Sequence, residues 1–355
     1  MEIPKAPPLK MTKRTAKAIA AVTAAVVGAG TASVIQAIAI YNSFFPRYER
    51  PDPSQTPGMY IYQRYEDTLP RETFSIPSGE NQLCAYYYPV EQPKALAVTV
   101  HGIHAGGDDL LPIIEWLVGE GYAVLSYDAT GTYSSTGEDG IGMCQFICDL
   151  DAVLNYLSDH PTYGSMPRVL VGHSLGGNAV ASVLSLHSEV KAAACIAPMA
   201  DASTLMVETA RQRVGDLAAT IKPLFDAYQD HLFGDYTELN AVRGINDSGI
   251  PVLIAHGVED ETISHDSLGV TARLSEITNP NVTVCYTKGW QASHTGVWHS
   301  VDAMQYAERV AQDVDGLSDE ERAAYYATVD HRRYSAVNEA LMMKIDAVFE
   351  KALDE

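Results

Sequence analysis

The stretch that decides the fold is Val169-Leu170-Val171-Gly172-His173-Ser174-Leu175-Gly176-Gly177, in which an apolar run leads into Gly-x-Ser-x-Gly and a helical segment follows. A serine between a strand and a helix lies on a tight, strained turn that projects its hydroxyl away from the sheet. Side chains at 172 and 176 would collide with the neighbouring strand and helix, which explains the glycines. The helix N-terminus adds partial positive charge that favours an oxyanion. The pattern therefore predicts a nucleophile at Ser174.

The rest of the chain alternates between short apolar runs and amphipathic stretches. The predicted strands are Glu72–Ile76, Gln82–Tyr88, Ala95–Val100, Ala123–Tyr127, Val169–Val171, Ala192–Ala197, Val252–Ala255 and Val282–Thr287. The first two are close enough to form an antiparallel hairpin. The predicted helices include Leu110–Glu120, Met143–Asp159, Asn178–His187 and Asp266–Ile277. This alternation predicts an α/β protein with a mostly parallel eight-stranded sheet, helices on both faces, and ligands at the carboxyl ends of the strands.

Two other predicted strands end in His-Gly pairs, at His101-Gly102 and His256-Gly257. An acidic pair, Glu259-Asp260, follows the second of them. A carboxylate at this position orients a histidine and stabilises its imidazolium during a reaction. We predict that Asp260 is this acid, with Glu259 as its adjacent rival and Asp201, after the preceding strand, as a more distant alternative.

The loop after the last strand offers two histidines as the general base, His294 and His299. His294 lies among small residues that leave the loop free to reach over the strand ends, and it is the predicted base. His299 begins a predicted helical run, so its side chain is expected to face solvent or a supporting partner. A base must come within about 3 Å of both the nucleophile and the acid when engaged.

Together with Tyr127-Asp128-Ala129-Thr130-Gly131-Thr132, these motifs resemble the α/β-hydrolase superfamily, in particular its bacterial serine aminopeptidase-like and lysophospholipase-like members. The resemblance covers roughly residues 60–310. It implies a catalytic triad in the order Ser174, Asp260, His294, and an oxyanion hole formed by the backbone N–H groups of Ile103 and Leu175. One departure is Thr132-Tyr133, where relatives often carry Gly-His-Gly or Gly-x-Gly.

The segment from about 201 to 249 leaves the core pattern and carries apolar residues at helical spacing. The resemblance implies a small helical lid over the active site here, and simple packing of this apolar face on the core is the alternative. The segment from Ser318 to Leu353 is also helical in pattern, and it carries no functional signal.

The N-terminus differs from the rest of the chain in charge. Residues 1–50 carry a net charge of +5 and the remaining 305 residues carry −26. Residues 1–17 are expected to form a basic cytoplasmic tail, and the uncharged segment 18–46 a single-pass transmembrane signal-anchor. A cleaved signal peptide and a secreted protein are the alternative. Residues 47–59 read as an extended linker, and 60–355 as the hydrolase domain, which would then be extracytoplasmic.

Composition excludes several classes of protein. The net charge of −21 opposes binding to nucleic acid. Five scattered cysteines do not form a disulfide framework. Cys144 and Cys148 lie four apart on a predicted helix without a nearby cluster of ligands, so packing explains them better than a metal. No metal or organic cofactor is expected.

Three functions are compatible with these features. The first is a serine hydrolase that cleaves carboxylic esters of acyl-ester or lysolipid type through Ser174, His294 and Asp260. The second is a peptidase of the aminopeptidase type that uses the same residues on an amide. The third is a hydrolase fold that binds without catalysis, which the complete set of residues disfavours. The substrate would be a small ester or lipid.

Overall fold

The computed structural model describes residues 35, 38, 39, 41–201, 204, 207, 208, 211, 215 and 217–354. Its centre is one eight-stranded sheet in the order β1-β2-β4-β3-β5-β6-β7-β8. The strands are β1 Glu72–Ser78, β2 Asn81–Tyr88, β3 Leu96–Val100, β4 Ala123–Tyr127, β5 Arg168–His173, β6 Val190–Ile196, β7 Val252–Gly257 and β8 Val282–Thr287. The predicted eight-stranded sheet is therefore confirmed.

The sheet is antiparallel at one edge and parallel elsewhere. β1 and β2 form the predicted hairpin, and β2 pairs antiparallel with β4. All pairs from β4 through β3, β5, β6 and β7 to β8 are parallel. The carboxyl ends of β3, β5 and β7 consequently meet at one edge of the sheet, where the residues that follow them face a shared space.

Helices cover both faces of this sheet. They are α1 Leu111–Gly119, α2 Gln145–Asp159, α3 Leu175–Val183, α4 Leu217–Phe233, α5 Ala241–Ser248, α6 Val301–Asp313, α7 Asp319–Tyr326, α8 His331–Tyr334 and α9 Glu339–Asp354. Val98 and Leu170 pack on one face with residues of α2 and α3. Ala97 and Val169 point to the other face, with residues of α1 and α9. Successive strand residues therefore contribute to two separate cores, which makes nearly the whole strand apolar.

Two predicted helices need correction. The helix after β5 begins at Leu175, three residues before the predicted Asn178, although Gly176 and Gly177 have low helix propensity. The predicted helix Asp266–Ile277 is a 3-10 segment, Val270–Glu276, with non-helical backbone at Arg273. In the first case, the close packing of the helix against β3 and β5 outweighs the low helix propensity of the two glycines.

Residues 41–65, which we call the N-terminal strap, pack tightly on the domain. Tyr41 is fully buried, and its ring meets those of Phe225 and Tyr228 at centroid distances of 5.9 and 5.2 Å. Arg47 donates to three backbone carbonyls of the loop after β4, including Tyr133 O at 2.7 Å. Arg50 forms an ion pair with the buried Asp108. Residues 47–59 are therefore not a free linker, and Tyr41, Phe44 and Phe45 belong to the core of the domain.

Most of the predicted membrane segment lies outside the described residues. Among those that the structure does describe, no helix combines the length and apolar character needed to cross a bilayer. Residues 1–17 also lie outside the described part of the chain.

The segment predicted as a lid contains α4 and α5. Phe225 on α4 is buried against Tyr41 of the N-terminal strap, and Tyr236 donates to Asp151 of α2 at 2.6 Å. The described residues of 217–249 thus pack on the α2 side of the domain, and none of them lines the cavity that contains Ser174.

Candidate active site

Ser174 lies at the turn between β5 and α3 with φ +59° and ψ −121°. An L-residue rarely adopts this left-handed φ, and such strain is typical of functional turns. A Cβ added to Gly172 would lie 2.3 Å from the carbonyl oxygen of Gly176, and one added to Gly176 would lie 2.2 Å from that of Val100. Glycine at both positions therefore allows helix α3 to begin directly against β5 and β3.

The loop after β3 lies beside the nucleophile. A Cβ added to Gly102 would be 3.1 Å from Ser174 Cβ and 3.6 Å from its Oγ. His101 fixes this loop, because its Nδ1 donates to Gly102 O at 2.7 Å and its Nε2 accepts from Ala129 N at 2.9 Å. Burial lowers the pKa of His101 to about 4, so this ring stays neutral and structural. Ile103, a predicted oxyanion donor, lines the same cavity as Ser174.

His294 and Asp260 form a buried pair. His294 Nδ1 lies 2.7 Å from Asp260 Oδ2, and the carboxylate side chain is fully buried. Asp260 Oδ1 accepts from the backbone N–H groups of Thr262 at 2.9 Å and Ile263 at 2.7 Å. Burial alone would raise the pKa of Asp260, but hydrogen bonds from two histidines and from the backbone hold it well below its ordinary value. Asp260 is thus a carboxylate, and it leaves His294 Nε2 as the nitrogen that does not contact the acid.

The two other acids considered for the role of Asp260 do not line the cavity that contains Ser174. Glu259 is exposed, and Asp201 lies at a different cavity together with Lys222 and Asn240. His299 precedes helix α6 instead of starting it, because Ser300 is the N-cap. Its side chain is buried and not on a helix, so of the two expected surroundings the structure shows a supporting partner instead of solvent.

His299 is held by two hydrogen bonds at the wall of the site. Its Nδ1 donates to Thr295 O at 2.9 Å, and its Nε2 accepts from Tyr60 Oη at 2.8 Å. Burial lowers the pKa of His299 to about 4. The neighbouring His173 donates from Nε2 to His294 O at 3.2 Å, and burial followed by the nearby His294 lowers its pKa to about 3.

Ser174 and His294 line one cavity of about 470 Å³, an ordinary volume for a small-molecule site. Sequence analysis did not find several residues of its wall, because they come from the N-terminal strap and from the chain after β8. They are Tyr60, Trp298, Met304, Ala307 and Tyr334. Most of these side chains are apolar or aromatic, and no sequence motif connects them with Ser174.

Cys144 and Cys148, which the sequence predicts to be packing residues, lie on or next to helix α2. Cys144 and Cys148 are free thiols, and Cys144 is buried with its Sγ 3.8 Å from Gln229 Oε1. Burial raises the pKa of Cys144 to about 12. Within the described ranges, no three His, Cys, Asp or Glu side chains are placed to hold a metal ion.

Replacing Asp260 with asparagine is expected to lower kcat for an ester by about 10³- to 10⁴-fold without unfolding the protein. The amide no longer fixes the tautomer of His294 or stabilises its charged form. Steady-state hydrolysis and circular dichroism measure the two effects. Glu259→Gln, at the exposed neighbour, is the matched control and should change kcat less than twofold. Equal losses in both variants would exclude Asp260 as the specific partner.

Acid is expected to destabilise the protein steeply because His101, His173 and His299 are neutral when folded. Their lowered pKa values mean that only the unfolded chain binds these protons as the pH falls from about 6.5 to about 4. These three groups contribute up to about 4 kcal/mol of that loss per pH unit. Asp109, whose pKa burial raises to about 6, takes up a proton in the folded protein over the same window and offsets part of it. Urea denaturation at several pH values measures the net slope, which His299→Gln should lower by about 1.4 kcal/mol per pH unit, with His231→Gln, at an exposed histidine, as the matched control.

Comparison with known proteins agrees with this architecture. The sequence model of a family described as serine aminopeptidase, S33, matches residues 91–243. Human monoglyceride lipase is 26% identical over 129 residues, which are 36% of this chain and 41% of that enzyme. The match with this curated relative therefore spans about two-fifths of its length.

Solved structures share the fold at low sequence identity. The Pyrococcus furiosus esterase Pf2001 superposes with a TM-score of 0.53 at 17% identity, over 79% of this chain and 97% of the esterase. The mouse α/β-hydrolase domain-containing protein 10 gives a TM-score of 0.50 at 16% identity, over 79% and 99% of the two chains. The sheet, the strained serine turn and these matches define an α/β-hydrolase fold. The chain therefore has the α/β-hydrolase fold, and its sequence is similar to a serine aminopeptidase family over residues 91–243.

Proposed function

We propose that this protein is a serine hydrolase that cleaves carboxylic esters of the acyl-ester or lysolipid type. One observation carries the proposal: Ser174, on a strained turn, lines the same cavity as His294, whose Nδ1 is bound to the buried Asp260 at 2.7 Å. A nucleophile, a base and an acid that orients the base are the parts that acyl transfer requires.

In the proposed reaction, His294 Nε2 accepts the proton of Ser174 Oγ as this oxygen attacks the ester carbonyl carbon. The backbone N–H groups of Ile103 and Leu175 bind the oxyanion of the tetrahedral intermediate. The intermediate collapses and releases an alcohol, which takes its proton from His294. Water then attacks the acyl-enzyme with His294 again as base, and the carboxylic acid leaves.

The cavity wall supports an ester with an apolar acyl chain. Ile103, Leu110, Trp298 and Met304 contribute apolar surface near Ser174. Burial of each methylene of an acyl chain on such a surface contributes about 0.8 kcal/mol. kcat/KM for nitrophenyl esters should therefore rise with chain length until the cavity is filled.

The test uses a fluorophosphonate label and a series of nitrophenyl esters of increasing chain length. The wild-type protein should be labelled at Ser174 and should hydrolyse the esters, whereas Ser174→Ala should do neither while remaining folded. An intact, folded wild-type protein that is not labelled would overturn the proposal.

An aminopeptidase-type activity is the second candidate, and the description of the matching family favours it. The same residues would attack an amide, with His294 protonating an amine leaving group. Aminoacyl anilides assayed beside the esters separate the two. Turnover of anilides well above that of every ester would assign the protein to peptide substrates.

We also propose that the N-terminal segment holds the catalytic domain at the outer side of the cytoplasmic membrane, because an uncharged run of 29 residues from Ala18 to Pro46 follows a basic start. Since residues 41–46 pack in the domain, the inserted part would end before Tyr41. Fractionation of a C-terminally tagged protein tests this. A shortened protein in the medium would indicate cleavage and secretion instead.

A further inference from the structure

A second histidine, His256, binds the carboxylate of Asp260. His256 Nε2 lies 3.1 Å from Asp260 Oδ2, the same oxygen that His294 Nδ1 approaches at 2.7 Å. The side chains of His256 and Asp260 are both fully buried. Asp260 Oδ2 therefore interacts with two imidazole rings, of which only that of His294 faces the cavity.

The surroundings determine which nitrogen of His256 carries the proton. Its Nε2 lies 2.8 Å from the carbonyl oxygen of Ile263, which can only accept, so Nε2 is the donor. The opposite nitrogen, Nδ1, faces Thr271 Oγ1 at 3.4 Å, and this hydroxyl donates to His265 O at 2.6 Å. The N–H of His256 is thus directed at Ile263 O, and Asp260 Oδ2 lies 3.1 Å from the same nitrogen.

Packing keeps the ring in this orientation. A Cβ added to Gly269 would lie 2.4 Å from His256 Cε1 and 2.9 Å from its Nδ1. The Cε1–Nδ1 edge of the ring consequently packs directly against the backbone of Gly269. It belongs to β7, so the donor is fixed on the sheet, whereas His294 is on a loop.

We propose that His256 is a positioning residue of the reaction, which donates its Nε2–H to Asp260 Oδ2 and holds that carboxylate for His294. The inference rests on the proposed hydrolase function. The donor also takes up part of the negative charge of the carboxylate. Removing this donor would leave more of that charge to stabilise the imidazolium of His294, and the pH profile of a variant reports the difference.

Other titratable groups lie around this pair and remain in place in the test. The His173 ring is 4.9 Å from that of His294, and Glu261 Oε2 accepts from His294 N at 3.2 Å. The His265 ring lies 6.4 Å from that of His256. On the cavity side, the ring of Trp298 lies between those of His173 and the buried His299.

The experiment compares His256→Gln, whose amide reaches the position of Nε2, with His256→Leu, which fills similar volume without a donor. For an ester substrate, the acid limb of the kcat/KM profile should move upward by about 0.5–1 pH unit in His256→Leu. Its kcat should fall about tenfold, because the carboxylate is less well positioned. His256→Gln should restore both values most of the way, with KM little changed in either variant. A profile of His256→Leu that coincides with the wild type would overturn the inference, even if its melting temperature falls.

A measurement on the wild-type protein does not depend on the variants folding. Correlation spectra of the imidazole ¹⁵N and ring ¹H nuclei should show His256 protonated at Nε2 throughout the active pH range. Protonation at Nδ1 alone would contradict the inference. Failure of the proposed function is distinguishable, since it appears as absence of fluorophosphonate labelling in the wild-type protein.

Discussion

Replacing His294 with alanine is expected to lower kcat/KM for an acyl ester by at least 10³-fold while the fold remains intact. Members of a triad act as a unit, so loss of the base removes most of what the nucleophile contributes. His294 Nδ1 is bound to Asp260 at 2.7 Å, and the His294 ring lines the cavity that contains Ser174. Alanine can neither contact Asp260 in this way nor accept a proton from Ser174. Initial rates and fluorophosphonate labelling rates measure the loss, and circular dichroism checks the fold.

The matched control is His299, the other histidine of the same loop. Both of its nitrogens are engaged, with Thr295 O and Tyr60 Oη, and neither interaction involves Asp260. His299→Asn retains a donor near the position of Nδ1 and should lower kcat/KM less than tenfold. An inactive His299→Asn beside a nearly normal His294→Ala would reverse the assignment of the base.

Gly176→Ala is expected to have the second large effect, on stability and activity together. The added Cβ would lie 2.2 Å from Val100 O and 2.4 Å from His101 O, and both are backbone atoms that cannot rotate away. Either α3 or the loop after β3 must move, at a cost of about 3 kcal/mol. Because that loop lies against Ser174, kcat/KM should also fall at least 10²-fold.

Gly119→Ala provides the control for a glycine-to-alanine change in a helix. Gly119 ends α1, is exposed, and has no atom within 4 Å of an added Cβ. Alanine there should be neutral or stabilise the protein by up to about 1 kcal/mol. Urea denaturation of both variants gives the comparison. A Gly176→Ala protein as stable and active as Gly119→Ala would show that the close approach of α3 to β3 is not required.

The central strands are predictable because each is a short apolar run, bounded by turn residues, that contributes side chains to both cores. The helix after Ser174 begins earlier than the sequence predicts, since Gly176 and Gly177 locally disfavour a helix. In the structure, the absence of side chains at these positions is what lets the helix pack against β3 and β5. Tertiary packing here outweighs local propensity.

The site residues at strand ends were within reach of sequence reasoning because parallel strands bring their carboxyl ends together. The sequence predicts Asp260 and His294 separately, and the distance of 2.7 Å between them is visible only in the structure. The sequence marks His256 only as part of a His-Gly pair, since it does not show which way a ring points. The sequence does not predict the contact of Tyr60 with His299, because that contact depends on how the N-terminal strap folds back over the domain.

The N-terminal strap also decides how closely the domain is joined to the chain that precedes it. With Tyr41 fully buried and Arg47 bound to three carbonyls, the described residues 41–65 leave no free tether beside the domain. Anything that binds the chain immediately before Tyr41 would therefore be held close to the domain. A recombinant protein that starts at residue 60 would lose the buried Tyr41 and the ion pair of Arg50 with Asp108, and Tyr60 at the cavity wall would lose the strap that precedes it.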